Sequence, residues 1–416
     1  MACRQGGCAC QALVDWADSG VVALTGHADG AVLVPPGHAA TTARELTARI
    51  RRLTGGRVDL DGARLLAERA AFTGHTRRGR VSVGGSCRLL PTADGWAAVS
   101  CARPDDPLLL GALVEAELPT DPWPTIAAWL RDHSGAELAE RAELLGIAAG
   151  PVLRDPAPRT VAAHKARSVE GLLVVDFSAL WAGPLCAHVL GQAGARVVKV
   201  ETPSRPDGAR RGDAEFYRLL HAGHDSVVLD PTAPAGRAAM AALVARADIV
   251  IEASRPRALI GFGLDADAAV AAGTTWVSIT AAGRSSQRVG FGDDVAAAAG
   301  LVALDADGMP VFCGDAIADP LTGLTAAALA LTAPVDGAGV LWDVAMTDVV
   351  AAAFDTTGRD TALPQPARLD GGTWVVDTCR GPVPVAGPRR RAPAGAAQTG
   401  GAGTATVLAE LGIPRP

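Results

Sequence analysis

Apolar and polar runs alternate along the second half of the chain in a way that predicts strands separated by helices. Residues 172–177 and 196–201 are short apolar runs typical of buried strands, and the apolar stretch 185–194 between them has helical character. Further strands are predicted at 226–230, 248–253 and 275–280, with a helix at 235–247. Such alternation is typical of an α/β fold with a doubly wound, mostly parallel, Rossmann-like sheet covered on both faces.

The first half has a different pattern, which predicts a smaller α+β unit. Residues 88–101 indicate a hairpin around an Ala-Asp-Gly turn, and 124–149 indicate two amphipathic helices. The proline- and base-rich stretch 153–168 is expected to be a linker. Beyond residue 380 the chain is too rich in Pro and Gly for regular structure until a last helix, predicted at 404–412.

An internal repeat relates the two halves. Residues 19–62 resemble 299–346, and each copy is expected to run as a strand, a turn on Asp-Gly, a strand, a helix and a strand. The alignment places Thr42 where Asp319 stands, so only one copy carries a carboxylate. The predicted organisation is a degenerate repeat of the catalytic-segment region (1–72), a small α+β domain (73–152), a linker (153–168), a large α/β domain that binds the ligand (169–360) and a C-terminal extended segment with a helix (361–416).

Composition narrows the functional classes. Of the 416 residues, 49% are hydrophobic and 20% charged, which is typical of a soluble globular protein. A net charge of −6 argues against a general binder of nucleic acid or of anionic membranes. The sequence has neither an apolar run of membrane-spanning length nor a signal-peptide pattern at its start, so a cytoplasmic location is expected.

Cysteines do not indicate a metal site. Cys3, Cys8 and Cys10 form C-x4-C-x-C without a second ligand pair downstream, which matches zinc spacing poorly. They are interpreted as incidental thiols in a loose terminus. The other five cysteines, Cys379 among them, are interpreted as small buried apolar residues.

Four segments of the second half occur in an order that resembles a known family. They are VVDFSALWAGPLCAHVLGQAGARVVKVETP at 174–203, ADIVIEASRPRALIGFGLD at 247–265, GDAIADPLTGLTAAALAL at 314–331 and RRRAPAGAAQTGGAGTATVLAELGI at 389–413. Together they resemble the class III CoA-transferases of the CaiB/BaiF type. In that family an Asp stands four residues before a Gly at the start of a helix, and here these residues are Asp319 and Gly323.

The resemblance implies an acyl-CoA:carboxylate CoA-transferase in which Asp319 is the nucleophile and forms a covalent aspartyl-CoA thioester. It implies coenzyme A as a substrate thioester, a small carboxylic acid as the second substrate, and no metal. Side-chain carboxylates are known covalent catalysts, and a helix start favours negative charge. The residues expected to bind CoA are Arg255, Lys199, Trp181, Ala182, Arg205 and Arg288.

Departures from the family pattern leave alternatives open. The small domain precedes the sheet domain here, whereas in typical members it follows the catalytic segment, so the chain resembles a permuted or fused version. Typical members are interlocked dimers, so a homodimer and an internally fused pseudo-dimer are both expected alternatives. His224 and Asp225 replace a basic pair of the family. The alternative functions are an acyl-CoA racemase or epimerase of the same superfamily and a catalytically weak CoA-binding or scaffold protein.

Overall fold

The computed structural model describes residues 3–152, 165–254, 256–334, 338–354 and 366–416. The part before residue 153 contains helices and strands in this order: α1 (Cys3–Ser19), α2 (Ala39–Leu53), α3 (Gly62–Leu65), α4 (Glu68–Thr73), β1 (Cys87–Pro91), β2 (Trp96–Ser100), α5 (Asp106–Val114), α6 (Trp123–Asp132), α7 (Gly135–Leu145) and β3 (Ala149–Pro151).

The remainder alternates strands and helices before ending in a C-terminal sheet and helix. Its elements are β4 (Lys165–Ala166), β5 (Leu173–Asp176), α8 (Ala182–Gln192), β6 (Arg196–Glu201), α9 (Ala214–His221), β7 (Asp225–Val228), α10 (Pro234–Arg246), β8 (Ile249–Glu252), α11 (Pro256–Gly261), α12 (Ala266–Ala271), β9 (Thr275–Thr280), α13 (Gly292–Ala298), β10 (Val302–Leu304), β11 (Pro310–Phe312), α14 (Ala318–Ala330), β12 (Thr332–Ala333), β13 (Val340–Ala345), α15 (Met346–Ala351), β14 (Arg368–Asp370), β15 (Thr373–Thr378), β16 (Gly381–Pro384) and α16 (Thr404–Glu410).

A six-stranded sheet of order β13-β9-β8-β5-β6-β7 forms the centre of the second half, and each neighbouring pair is parallel. The predicted α/β fold class is therefore confirmed. The chain proceeds from β5 outward to β7 and then returns to β8 on the other side of β5. In sheets of this kind ligands bind beyond the carboxyl ends of the strands at such a reversal, which places the loops after β5 and β8 at the expected crevice.

Both faces of this sheet are covered, because successive residues of each strand point to opposite sides. Val174 and Ile251 belong to a core shared with α8, α9 and α14, and the same core extends to α1 and α2. Val175 and Val250 belong to a second core with α10 and α16. The near-continuous apolar runs of these strands follow from burial on both sides.

Helix α14 approaches α8 closely at Gly323. A Cβ atom at this position would lie 2.6 Å from the Ala182 carbonyl oxygen and 3.0 Å from the Leu185 Cβ atom. Only a residue without a side chain therefore allows this spacing. The contact fixes the first turns of α14 against the start of α8.

The smaller unit has its own core. The hairpin of β1 and β2, predicted at 88–101, and the helices α6 and α7, predicted at 124–149, are confirmed, and β3 adds a third antiparallel strand. Val99 faces a core that includes Leu113, Ile126 and Leu138. The opposite face of the hairpin packs on α13 and β11 through Ala98, Ala297 and Phe312, which joins this unit to the large one.

The predicted repeat is only partly present. Helix α2 of the first copy matches α14 of the second, and the hairpin of β10 and β11 is confirmed in 299–346. The predicted strands of 19–62 are wrong, since Val22–Leu24 is a 3-10 helix and this range, all of it described, contains no strand. Where two paired strands were predicted, the Leu33 amide donates one hydrogen bond to the Thr25 carbonyl at 3.0 Å. Pro35 and Pro36 follow at once and have no N–H to extend such a ladder.

The C-terminal segment wraps along the N-terminal helices. Strands β14, β15 and β16 form a small antiparallel sheet that was not predicted, and it packs on α1. A disulfide joins Cys10 to Cys379, so the interpretation of these two residues as unpaired cysteines is wrong. The bonded residues are 369 positions apart, and no local spacing could indicate such a pairing. Beyond it, the Ala386 amide donates to the Ala17 carbonyl at 2.8 Å.

The predicted linker falls partly outside the described residues, which resume at 165. There β4 pairs with β12 in a short antiparallel ladder that was not predicted. Within the described ranges, no helix combines the length and the apolar character that crossing a bilayer requires.

Substituting Gly323 tests the contact between α8 and α14. We expect Gly323→Ala to lower the free energy of unfolding by about 1 to 3 kcal/mol, because the added methyl group must displace backbone at Ala182. Gly261→Ala is the matched control, since nothing lies within 4 Å of its Cβ position. Denaturant unfolding measures both; equal stability of the two variants would contradict the close contact.

Candidate functional site

Asp319 lies in the first turn of α14 and its side chain is partly exposed. Its amide donates to the Ala316 carbonyl at 2.9 Å. Its Oδ2 atom lies only 2.6 Å from the position that a Cβ on Gly292 would take, so the carboxyl group lies directly against the start of α13. The absence of a side chain at Gly292 makes this approach possible.

The turn before α14 is strained and firmly held. Ala316 has φ of 47°, a left-handed conformation that is uncommon for a residue with a side chain. Its amide donates to Asp293 Oδ1 at 2.8 Å. Such strain persists only where surrounding contacts determine it, and here it precedes the candidate nucleophile by three residues.

Three further carboxylates surround Asp319, and all are buried: Asp293, Asp294 and Asp315. Asp294 accepts hydrogen bonds from the Ser100 hydroxyl at 3.0 Å and from the Phe291 amide at 2.9 Å. Asp315 accepts from Arg69 Nε at 2.9 Å. Residues from the small unit and from α4 therefore complete the surroundings of α14.

This environment shifts the ionisation of Asp319. Removal from water raises the pKa of its carboxyl from 3.8 to about 7; Arg69 opposes the rise, and the neighbouring carboxylates add to it. Burial likewise raises the pKa values of Asp293 and Asp294 to about 6. A carboxyl group whose pKa lies near neutrality is suited to covalent or proton-transfer chemistry at physiological pH.

Arg69 connects this cluster to the turn at Trp181. Its guanidinium lies 5.4 Å from the centre of the Trp181 ring while pairing with Asp315. The sequence analysis did not single out Arg69. An arginine within a short helical run has no distinctive spacing, so no sequence signal separates it from a solvated surface residue.

Trp181 and Ala182 lie close to α14 but are themselves buried. Trp181 is 2% exposed and packs edge-on against Phe216, with ring centres 5.3 Å apart. The Ala182 carbonyl is the atom that Gly323 approaches. The structure thus brings both residues to the helix of Asp319, where they form part of its packing.

Lys199 is fully buried in a separate ion-pair network. Its ammonium group lies 3.0 Å from Asp207 Oδ2 and 3.7 Å from Asp176 Oδ2, and it donates to the Ser178 carbonyl. Burial alone would lower the pKa of Lys199, but the two aspartates raise it overall. Asp207 also accepts from the Leu180 amide at 2.9 Å, so the network ties the loop after β5 to the loop after β6.

The three predicted arginines are in different places. Arg205 is exposed in the loop after β6. The side chain of Arg288 lies against Gly150 of the small unit, with Nη2 4.0 Å from Asp294 Oδ2, so it borders the carboxylate cluster. Arg255 lies outside the described residues.

Comparison with known proteins identifies a matching family model and several similar proteins. Residues 169–373 match the sequence model of CoA-transferase family III. Succinate–glutarate CoA-transferase of Agrobacterium fabrum is 29% identical over 208 residues, covering 44% of this chain and 52% of the relative. Succinyl-CoA–D-citramalate CoA-transferase of Chloroflexus aurantiacus is 30% identical over 181 residues, covering 40% and 45%. The chain therefore spans about half the length of these curated relatives.

A solved structure also matches. The crystal structure of a CaiB/BaiF family protein from Brucella suis is 25% identical and covers 52% of this chain and 65% of its own, with a TM-score of 0.43.

The raised pKa of Asp319 predicts a pH-dependent effect on stability. Between about pH 4 and pH 7 the folded protein holds a proton on Asp319 that the unfolded chain has lost, so wild-type stability falls as pH rises through this window. Because asparagine does not titrate, Asp319→Asn removes this pH-dependent loss of stability. We expect the variant's advantage in unfolding free energy to grow from pH 4 to 7 and then level off, at about 4 kcal/mol for a shift of about three pKa units.

Chemical denaturation at several pH values measures this difference. Asp307→Asn, at an exposed position in the turn between β10 and β11, is the control and is expected to give a flat difference. A flat difference for Asp319→Asn as well would contradict a raised pKa at Asp319.

Proposed function

We propose that the protein is an acyl-CoA:carboxylate CoA-transferase with Asp319 as its nucleophile, on the premise that residues 169–373 match the sequence model of CoA-transferase family III. The observation that carries the proposal is the position of Asp319 at a helix start, partly exposed and against a cluster of buried carboxylates; desolvation first, and these carboxylates next, raise its pKa to about 7. The relatives named above transfer CoA, which supports the same reaction class here.

The proposed reaction proceeds through acyl exchange at Asp319. A carboxylate oxygen attacks the thioester carbonyl carbon, and the C–S bond breaks to release the CoA thiolate and leave a mixed anhydride. The thiolate then attacks the Asp319 carbonyl carbon, which releases the donor acid and forms an aspartyl-CoA thioester. The acceptor carboxylate reverses these two steps, so that acyl-CoA leaves and the Asp319 carboxylate is regenerated.

The electrostatics of the cluster favour the acylated states. Ionised Asp319 is disfavoured first by its removal from water and also by repulsion from Asp293, Asp294 and Asp315, and both raise its pKa. Acylation removes the charge on Asp319 and so relieves this repulsion. A carboxylate made more basic by its surroundings is also a better nucleophile at pH 7 than one with an ordinary pKa.

CoA is proposed to bind across the loops at the carboxyl ends of β5, β6 and β8. This is where ligands bind in sheets with this strand order. Arg205 is exposed in one of these loops and is available for a phosphate group. Arg255 follows β8 in sequence and remains a proposed phosphate contact, whereas Lys199 and Trp181 are proposed to support the loops from within.

The raised pKa of Asp319 also supports a second function. A carboxyl group with a pKa near 7 can also act as a general acid or base, as an acyl-CoA racemase or epimerase requires. Incorporation of solvent deuterium at the α-carbon of an acyl-CoA, without any acceptor acid, would favour this alternative. CoA binding with neither activity would favour a binding or scaffold protein.

The transferase proposal predicts loss of activity on substitution of Asp319. We expect Asp319→Asn to fold but to transfer CoA several orders of magnitude more slowly, because the amide cannot displace a thiolate. Succinyl-CoA with small dicarboxylic acids is the first assay, since the relatives' names include such acids. Thr42→Ala, at the corresponding place on α2, is the control and is expected to retain activity.

Chemical trapping tests the intermediate directly. Wild type incubated with acyl-CoA and then hydroxylamine should give a modified peptide that contains Asp319, identified by mass spectrometry. Wild-type transfer by Asp319→Asn, or trapping at another carboxylate only, would exclude Asp319 as the nucleophile.

The pH dependence of transfer follows from the same group. The ionised carboxylate is the reactive form, so the rate should rise with pH and level off above an apparent pKa near 7. Steady-state rates from pH 5 to 9 with saturating substrates measure this curve. A midpoint near pH 4 would contradict the proposed environment of Asp319.

A further inference from the structure

We propose that Arg69, on helix α4, is a positioning residue for Asp319: through its pair with Asp315 it fixes the turn that carries the nucleophile and supplies the positive charge facing it. This inference rests on the proposed function. It concerns a residue that precedes the family-matched segment 169–373, so the family match does not assign it a role.

The contact between Arg69 and Asp315 is directional. Arg69 Nε donates to Asp315 Oδ2 at 2.9 Å, and Nη2 donates to Oδ1 of the same carboxylate. Two parallel hydrogen bonds fix the plane of the guanidinium group as well as its distance. The Trp181 ring, 5.4 Å away, bounds the guanidinium on another side. Asp315 itself is fully buried, so this pair is its main compensation for lost hydration.

The pair controls the turn that leads to Asp319. Asp315 is followed by Ala316, whose amide is held by Asp293 and whose carbonyl accepts from the Asp319 amide at 2.9 Å. The turn is thus fixed by Arg69 on one side and by α13 on the other. Releasing Asp315 would free one of these two supports and let the strained φ of Ala316 relax.

Arg69 also supplies the opposing charge. The charged groups that act on Asp319 are Arg69 of α4, Asp293 and Asp294 of α13, and Asp315 of the preceding loop. The uncharged Trp181, which directly precedes α8, lies next to Arg69, and Arg288 Nη2 lies 4.0 Å from Asp294 Oδ2. Of these four charged groups, Arg69 is the one that lowers the pKa of Asp319. Without Arg69 the carboxylate would be ionised in a smaller fraction of molecules at neutral pH.

Helix α4 is anchored in a way that suits a supporting role. Glu68, next to Arg69, is 1% exposed and pairs with Arg391, whose Nε lies 2.7 Å from Glu68 Oε1. The Arg391 amide donates to the same oxygen at 3.1 Å, and its Nη1 lies 3.2 Å from His188 Nε2 on α8. Helix α4, which carries Arg69, is therefore attached through Arg391 both to the C-terminal segment and to α8.

The test compares Arg69→Gln, Arg69→Lys and the control Arg64→Gln, which removes an arginine that pairs with Asp18 and Asp61 instead. The activity readout is the pH profile of transfer. For Arg69→Gln we expect its midpoint to move about one pH unit to the alkaline side, with a rate about fivefold lower at pH 7 and largely restored at pH 9. Arg69→Lys should shift less, and Arg64→Gln should match wild type.

A second readout does not need activity. In each background the unfolding free energy is measured with and without the Asp319→Asn substitution, and the difference, followed against pH, reports the ionisation of Asp319 in the folded protein. In the Arg69→Gln background this curve should level off about one pH unit higher. If the curve shifts but no variant or wild type transfers CoA, the proposed function fails while the role of Arg69 stands.

A uniform loss of rate at every pH, with an unmoved stability curve, would reduce Arg69 to a structural residue and overturn the proposal. If Arg69→Gln does not fold because Asp315 is left unpaired, Arg69→Gln with Asp315→Asn removes the buried pair together. Its curve should still move to the alkaline side, since Arg69 acts on Asp319 more strongly than Asp315 does. An unmoved curve in that double variant would also refute the proposal.

Discussion

Carboxyl groups that leave water must be neutralised, hydrogen-bonded or protonated, and four of them meet where α14 begins. Their compensation comes from three separate parts of the chain: Arg69 from α4, the Ser100 hydroxyl from the small unit, and backbone amides of the loops around α13. None of these parts can move far without leaving a buried charge uncompensated. The N-terminal helices, the small unit and the sheet domain therefore all contribute groups to this one carboxylate cluster. Asp319 is its partly exposed member.

A second buried network joins the end of β5 to the loop after β6. Lys199 lies between Asp176 at the end of β5 and Asp207 in the loop after β6. Asp207 in turn holds the amide of Leu180, which has φ of 70°. The chain can make this tight turn into α8 because the hydrogen bond fixes it, and Trp181 follows directly. The two networks thus meet at Trp181, which contacts Arg69 on one side and begins the helix packed on Gly323.

The sheet could be predicted from sequence because each strand is buried on both faces and so forms a short apolar run, as at 172–177 and 196–201. Asp319 could be singled out through the family pattern, in which it stands four positions before a glycine; the structure adds that the lack of a side chain at Gly323 is a packing requirement. Arg69 could not, since its role depends on a fold that brings α4 to residue 315, far along the chain. The strands expected in 19–62 failed because similar apolar spacing does not guarantee pairing: two prolines end the segment, and only one hydrogen bond of a ladder forms. The disulfide between Cys10 and Cys379 could not be predicted either, because local spacing carries no information on a partner 369 residues away.

The contact between Glu68 and Arg391 has a consequence for the order in which the protein can mature on the ribosome. Helices α1 and α4 are synthesised before residue 74, but the residues that hold them, Ala386 for Ala17 and Arg391 for Glu68, are translated much later; Arg391 follows Glu68 by 323 positions. Until that segment emerges, the glutamate at position 68 has no guanidinium partner and must remain hydrated. Helix α4 can therefore gain this pairing only after residue 391 has been translated. A nascent chain stalled before residue 386 should consequently hold a formed sheet while Ala17 and Glu68 still lack these partners.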